Sequence, residues 1–209
     1  MPIPLVVWAA AGVLARLAAK KAAQALTKQA AKYAAKKSAQ RLVQRMMREA
    51  VKKGKKKFER ELAETRKKCP KCKPKDTMCK RLFGGNGTIT PGRYRGGAYD
   101  SLGAQRHAIE RHHIPSNDSN GMSTGRGPSI QMDYKDHLQT SSWGRAKGAV
   151  NYRTEQGALV TNKKFMTAMA MDIFELKARF GGKYDQAIKE AIAYTACLDA
   201  VRAARKNKR

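Results

Sequence analysis

The chain has 209 residues, with 44 Lys plus Arg against 16 Asp plus Glu and a formal net charge of +28. That length suits one compact domain with an extension, or two small ones, and 5 Phe, 2 Trp and 7 Tyr are too few for a large β-sandwich core. An excess of this size repels itself, so the expected partner is a polyanion (nucleic acid or an anionic membrane surface) or an acidic protein.

The charge is spread along the chain. Residues 1–68 carry 19 basic and 4 acidic groups, and residues 69–209 carry 25 and 12, which excludes a basic tail on a neutral domain. Four cysteines, Cys69, Cys72, Cys79 and Cys197, are too sparse for a disulfide scaffold. The apolar run at residues 3–15 falls short of the roughly 20 residues needed to span a bilayer. Lysines follow this run rather than precede it, the reverse of a secretory signal.

Composition divides the chain into a helical region 1–66, a linker 67–97 and a compact domain 98–209, an α+β and mostly helical organisation. Residues 1–66 are rich in Ala, Lys, Arg, Gln, Leu and Met and read as one long helix or a broken pair. Leu17, Leu26, Tyr33, Leu42, Val43, Met46, Met47 and Val51 form a thin apolar stripe flanked by lysines. Such a helix is expected to be solvated or covered by a chaperone or secretion-apparatus component. The alternative is an interfacial helix whose apolar tip enters lipid. Cys69-Pro-Lys-Cys72 followed by Cys79 is half of a zinc-knuckle pattern, open to a structural Zn2+, a Cys69–Cys72 redox pair or free thiols. Cys197 is expected to be a buried apolar thiol. Residues 84–97 hold six glycines and one proline and read as loop.

Further on, residues 105–114 read as an extended segment ending at Pro115, residues 116–129 as a polar turn region and Ile130–Met132 as a short strand. A helix is predicted from about Asp133, its N-cap, to Thr140. Residues 162–180 form a further helix stopped by Gly181-Gly182, and residues 184–205 form the last.

Three of the four histidines, His112, His113 and His137, fall in two short segments. Imidazole titrates near neutrality and in its neutral form ligates metals, so one histidine can hold a divalent ion while its neighbour takes a proton from water. Asp133 lies one helical turn before His137, which places both on one face as candidate ligands to the same ion. Glu110 shares a strand face with His112 and can join the site or orient a histidine.

The stretch Glu-Arg-His-His-Ile-Pro-Ser at residues 110–116, then Gly-Pro-Ser-Ile-Gln-Met-Asp-Tyr-Lys-Asp-His at 127–137 and Thr-Ser-Ser-Trp-Gly at 140–144, resembles the His-Asn-His/endonuclease VII nucleases. The closer likeness is to the paired-His toxin branch of polymorphic, Rhs-linked and type VI secretion effectors, over roughly residues 94–150. The resemblance implies a small ββα-metal nuclease domain around one divalent metal ion, Mg2+ or Zn2+, with His113 as general base, His112 and His137 as ligands and C-terminal helices behind. The family's central Asn has no clear counterpart beyond Asn117 and Asn120, and Ser141 stands where many members have a second helix histidine.

Arg93, Arg95, Arg126, Lys135 and Arg145 flank the histidines as candidate contacts to a DNA backbone, and no motif indicates base-specific readout. The expected function is a metal-dependent, sequence-nonspecific endonuclease. The resemblance makes it a toxin secreted by a bacterial producer that degrades DNA (or RNA) in the target-cell cytoplasm and is held in check by an acidic immunity protein. Two readings compete with it: a non-enzymatic basic DNA-binding protein with a structural zinc site, and a membrane-active toxin driven by the N-terminal helix.

Overall fold

The computed structural model describes the backbone of residues 5–83, 87–90 and 92–206, and side chains from residue 37 onward. The stripe residues Leu17, Leu26 and Tyr33 and the apolar tip lie outside the described side chains. Helix α1 spans Leu5–Lys68. The chain divides into two units, Met1–Leu42 and a compact body Val43–Arg209.

The body contains the rest of α1, α2 (Asp76–Phe83), β1 (Gly96–Ala98), β2 (Ile109–His113), β3 (Pro128–Asp133), α3 (Tyr134–His137), α4 (Lys147–Thr161), α5 (Phe165–Phe180) and α6 (Asp185–Lys206). The α+β, mostly helical class is therefore the observed one. The strands form one antiparallel sheet in the order β1-β3-β2. In the register, His112 faces Ile130 and His113 faces Ser129, so β2 is an edge strand that carries both histidines.

Helix α6 is buried over eight consecutive residues, Ala191 to Leu198, because both α1 and the sheet pack on it. Small residues permit this. A Cβ on Gly54 of α1 would lie 2.5 Å from the Ala193 carbonyl oxygen, and one on Gly96 of β1 would lie 1.9 Å from that of Ala187. The glycines at residues 96 and 97, read from the sequence as loop, are thus a strand lying against a helix backbone. One core cluster joins Val43, Met46 and Ala50 of α1 to Ile130 and Met132 of β3, to Met169, Ile173 and Leu176 of α5 and to Ile188 and Ile192 of α6. A second joins Phe58, Leu62, Met78 and Phe83 to Tyr194, Leu198 and Val201. The apolar stripe of α1 from Val43 onward is therefore covered by the chain itself, and Leu42 beside it is exposed.

The segment 67–97 is no linker, because α2 and β1 belong to the compact body, and the body begins at Val43 rather than at residue 98. The zinc assignment to Cys69, Cys72 and Cys79 fails because the thiols are consumed in pairs. Cys69 bonds Cys72 at the end of α1, and Cys79 bonds Cys197, stapling α2 to α6 across 118 residues. In chain-entropy terms, closing the longer loop is worth about 5 kcal/mol against about 2 kcal/mol for the shorter.

Helix α4 has no signature in the sequence: two glycines interrupt it, and its buried side chains are Ala149 and Gln156. It is held through polar contacts to α5. Gln156 Nε2 donates to Asp172 Oδ2 at 2.7 Å and the Tyr152 hydroxyl donates to Oδ1 at 3.0 Å. Burial pushes the Asp172 carboxyl up to about 8, against the two hydrogen bonds that favour its charged form.

Gly54→Ala is expected to lower stability by about 1 kcal/mol, since the backbone clash (about 1–3 kcal/mol) outweighs the gain in helix propensity (about 1 kcal/mol). Thermal denaturation should show a fall of about 2–4 °C. The raised Asp172 pKa has a definite sign: the protonated form is favoured in the folded state. Its stabilising contribution is complete below the ordinary value of 3.8 and is lost as pH rises through about 8. Urea titrations at pH 5 and pH 9 are expected to show wild type losing stability relative to Asp172→Asn at the higher pH.

Candidate functional site

Strand β2 ends at His113, one residue before the cis Ile114–Pro115 bond, and the chain turns away into residues 116–127. At this corner a cleft of about 510 Å³ opens between the edge of β2, the start of the turn segment and the loop at residues 142–145. Glu110, Arg111, His112, His113, Asn117, His137, Trp143 and Arg145 line it. Both adjacent histidines of β2 therefore reach one cavity.

They do so in different settings. The His113 ring stacks on Tyr99 at 4.3 Å with an interplanar angle of 12°, and the Arg111 guanidinium lies over the same tyrosine at 4.0 Å. His113 Nε2 is 3.0 Å from the Thr124 carbonyl oxygen. A carbonyl can only accept, so Nε2 carries the proton and Nδ1 holds the lone pair. Behind the ring stands Gly127, where a Cβ would fall 2.5 Å from His113 Cδ2. Glycine there leaves the imidazole room for this tautomer-fixing bond.

His112 meets His137 edge to face, with ring centroids 5.0 Å apart. His137 comes from α3, whose four residues lie directly after β3. Its Nδ1–H donates to Glu110 Oε2 at 3.0 Å, leaving the lone pair on Nε2. Glu110 thus takes the orienting role rather than a place beside His113. The His112 imidazole makes no side-chain hydrogen bond to any other described residue, its backbone pairing with β3. Burial holds all three imidazoles below their ordinary pKa, His112 most strongly, and partial compensation comes to His113 from the Thr124 carbonyl and to His137 from Glu110. All three are neutral near pH 7, the form with a lone pair to ligate or to accept a proton.

Asp133 is not brought to this cleft. It sits opposite Ile109, three residues along from the partner of His112 and so about 10 Å up the strand. Its carboxylate takes the Tyr94 hydroxyl (2.8 Å) and Lys183 Nζ. Burial would raise its pKa, but these two donors outweigh that and hold it low. The side chain also makes no N-cap bond to α3, which ends at His137 instead of Thr140. Asp133 is therefore replaced, as a neighbour of His137, by Glu110.

Of the five basic residues predicted to meet a phosphate backbone, Arg145 lines the cleft. Arg95 pairs with Glu190 at 2.9 Å and Arg126 with Asp76, and neither lines the cleft. Arg93 lines a separate groove with Arg95 and Lys183, and Lys135 is exposed on α3 outside the cleft. Sequence reasoning missed Arg111 and Arg153, although Arg111 stands between the two predicted site residues Glu110 and His112 and shares its strand face with His113. Of the two asparagines, Asn117 lines the cleft. Asn120 is buried and accepts the Met122 N–H.

No family model matches the chain, and neither the curated proteins nor the solved structures contain a match to it. Among the described residues no group of three or more His, Cys, Asp or Glu side chains is placed to hold a metal ion. The donor set is narrower: two neutral imidazoles, one backed by a carboxylate in the manner of metal-bound histidines. As donors to a divalent cation the pair is one protein ligand short of the three usual at a catalytic zinc, so water or a ligand oxygen would have to fill the remaining positions.

Gly127→Ala is expected to push the His113 ring off the Thr124 carbonyl. Long-range 1H–15N correlation spectra should show wild-type His113 as the Nε2–H tautomer and the variant as a tautomer mixture, with a stability loss of about 1–2 kcal/mol.

Proposed function

We propose that the chain is a metal-dependent, sequence-nonspecific endonuclease of the His-Asn-His/endonuclease VII kind, acting on DNA. The observation that carries this reading is the division of labour among the three histidines. His113 has a fixed tautomer with a free Nδ1, while His112 and the Glu110-backed His137 meet edge to face in the same cleft.

In this reading His113 Nδ1 takes a proton from the attacking water, and the Thr124 carbonyl holds the imidazolium that forms. His112 and His137 would hold one divalent ion, which when bound neutralises charge on the scissile phosphate and the leaving oxygen. Glu110 fixes the His137 ring so that Nε2 is the ligating nitrogen. Arg111 and Arg145 supply positive charge at the cleft, matching a phosphodiester backbone and reading no base. The resemblance in residues 110–144 extends the proposal to a secreted antibacterial toxin. Its inhibitor would be an acidic protein, complementary to a surface of net charge +28. The competing view, a DNA-binding protein with a structural zinc at the cysteines, loses its zinc to the two disulfides.

Plasmid nicking by wild type and His113→Ala, each with EDTA, Mg2+ or Zn2+, tests the proposal. Metal-dependent nicking that falls about 100-fold or more in the variant is the expected result. Cleavage retained in His113→Ala, or binding by both proteins with no nicking of DNA and no cutting of RNA, overturns it.

A further inference from the structure

Trp143 stands out on the cleft wall. Its residue is 47% exposed, which among the described residues makes it one of three exposed large hydrophobics, with Leu42 and Val150. It lines the same cavity as His112, His113 and His137. No aromatic ring or cation packs on the indole within the described part of the chain, whereas the Tyr99 ring across the cleft is already occupied by His113 and Arg111.

The loop beneath the indole is fastened from several sides. Ser141 gives both its backbone N–H and its hydroxyl to Glu175 Oε1, each at 2.7 Å. Arg153 Nη1 donates to the carbonyls on either side of Trp143, Ser142 at 2.7 Å and Gly144 at 2.8 Å, and its Nε meets Asp118 at 3.2 Å. The Trp143 N–H closes a turn onto the Thr140 carbonyl. A loop that is pinned at four successive residues and yet turns a large apolar ring to solvent presents that ring to a ligand. Arg145 follows two residues later on the same cleft, past Gly144 with φ +82°.

We propose that Trp143 is a stacking platform for an unpaired base of the bound nucleic-acid strand, with Arg145 on the adjoining phosphate, so that the cleft selects single-stranded segments over duplex. This rests on reading the histidine cleft as a phosphodiester site. Bases of a duplex already stack on one another, whereas an unpaired base gains a π-face it otherwise lacks, and such a contact is indifferent to base identity.

The test uses the full chain carrying Trp8→Phe, which makes Trp143 the sole tryptophan. In EDTA, indole fluorescence and ligand anisotropy are recorded with oligothymidylate and oligouridylate of about twelve nucleotides, an abasic strand of equal length and a duplex. Single strands are expected to quench the indole, while abasic strand and duplex bind without quenching. Quenching by the deoxy strand, the ribo strand or both supports the proposal and identifies the backbone. Trp143→Ala in the otherwise natural chain is expected to weaken single-strand binding about tenfold, with Trp143→Tyr restoring most of it. Bound single strand without quenching, or unchanged single-strand affinity in Trp143→Ala, overturns the proposal. Because these readings need no turnover, quenching without any nicking would remove the nuclease reading and leave the platform. Nicking without quenching would do the reverse.

Discussion

The approach of α6 to its neighbours is the constraint on which the rest of the body depends. At Gly54 and at Gly96 the backbones come so near that no side chain fits between them. Over Ala191–Leu198 helix α6 is therefore buried all round, a situation usual in cores much larger than one of 167 residues. The sheet is fixed by this contact through β1, β3 is placed by β1, and β2 by β3. The two histidines sit at the end of that succession, on the strand farthest from the helix and nearest to solvent. A site at a sheet edge needs such a chain of rigid neighbours, because the edge strand has a partner on one side only.

Electrostatics within the body follow a second rule: many of its carboxylates are spent internally. Asp76 holds Arg126 and Arg205, Glu190 holds Arg95, Asp118 holds Arg153, Asp133 and Asp136 share Lys183, and Glu110 orients His137. Each of these acidic groups fixes an element or aims a functional ring. Lysines and arginines left over on the surface then set the sign of the external field. This is how a chain with so large a positive excess folds compactly while keeping that excess turned outward.

Legibility in the sequence followed the physics of each element. Helices α5 and α6 are legible because Met169, Ile173 and Leu176, like Ile188 and Ile192, recur at three- or four-residue spacing, and Gly181 with φ +58° ends α5 as a glycine there should. The histidine cluster was legible because imidazoles are scarce in this chain and two of them are adjacent. Three features were not. Helix α4 is stabilised by a buried Gln156–Asp172 bond, which leaves no apolar period to read. The glycines of β1 look like a loop because close approach to a helix and conformational freedom call for the same residue. The partner of Cys79 lies 118 residues away, and nothing in local spacing marks Cys197 as that partner. The same long-range logic misled the placement of Asp133: its spacing to His137 is helical, but it belongs to the strand before the helix and looks toward Lys183.

The Cys79–Cys197 bond has a topological consequence. It closes the chain into a covalent ring that contains all three strands, helices α3 to α5 and every histidine. A single backbone cut within residues 80–196 opens the ring but frees no fragment, so the two sides of the cleft stay tethered. Helix α1 lies outside the ring, and one cut at residues 69–78 would leave it attached to the body by packing alone, or, between Cys69 and Cys72, by the small disulfide there. The fold thus carries its histidine cleft inside a loop that one peptide-bond scission cannot take apart, and its basic helix on a tail that one can.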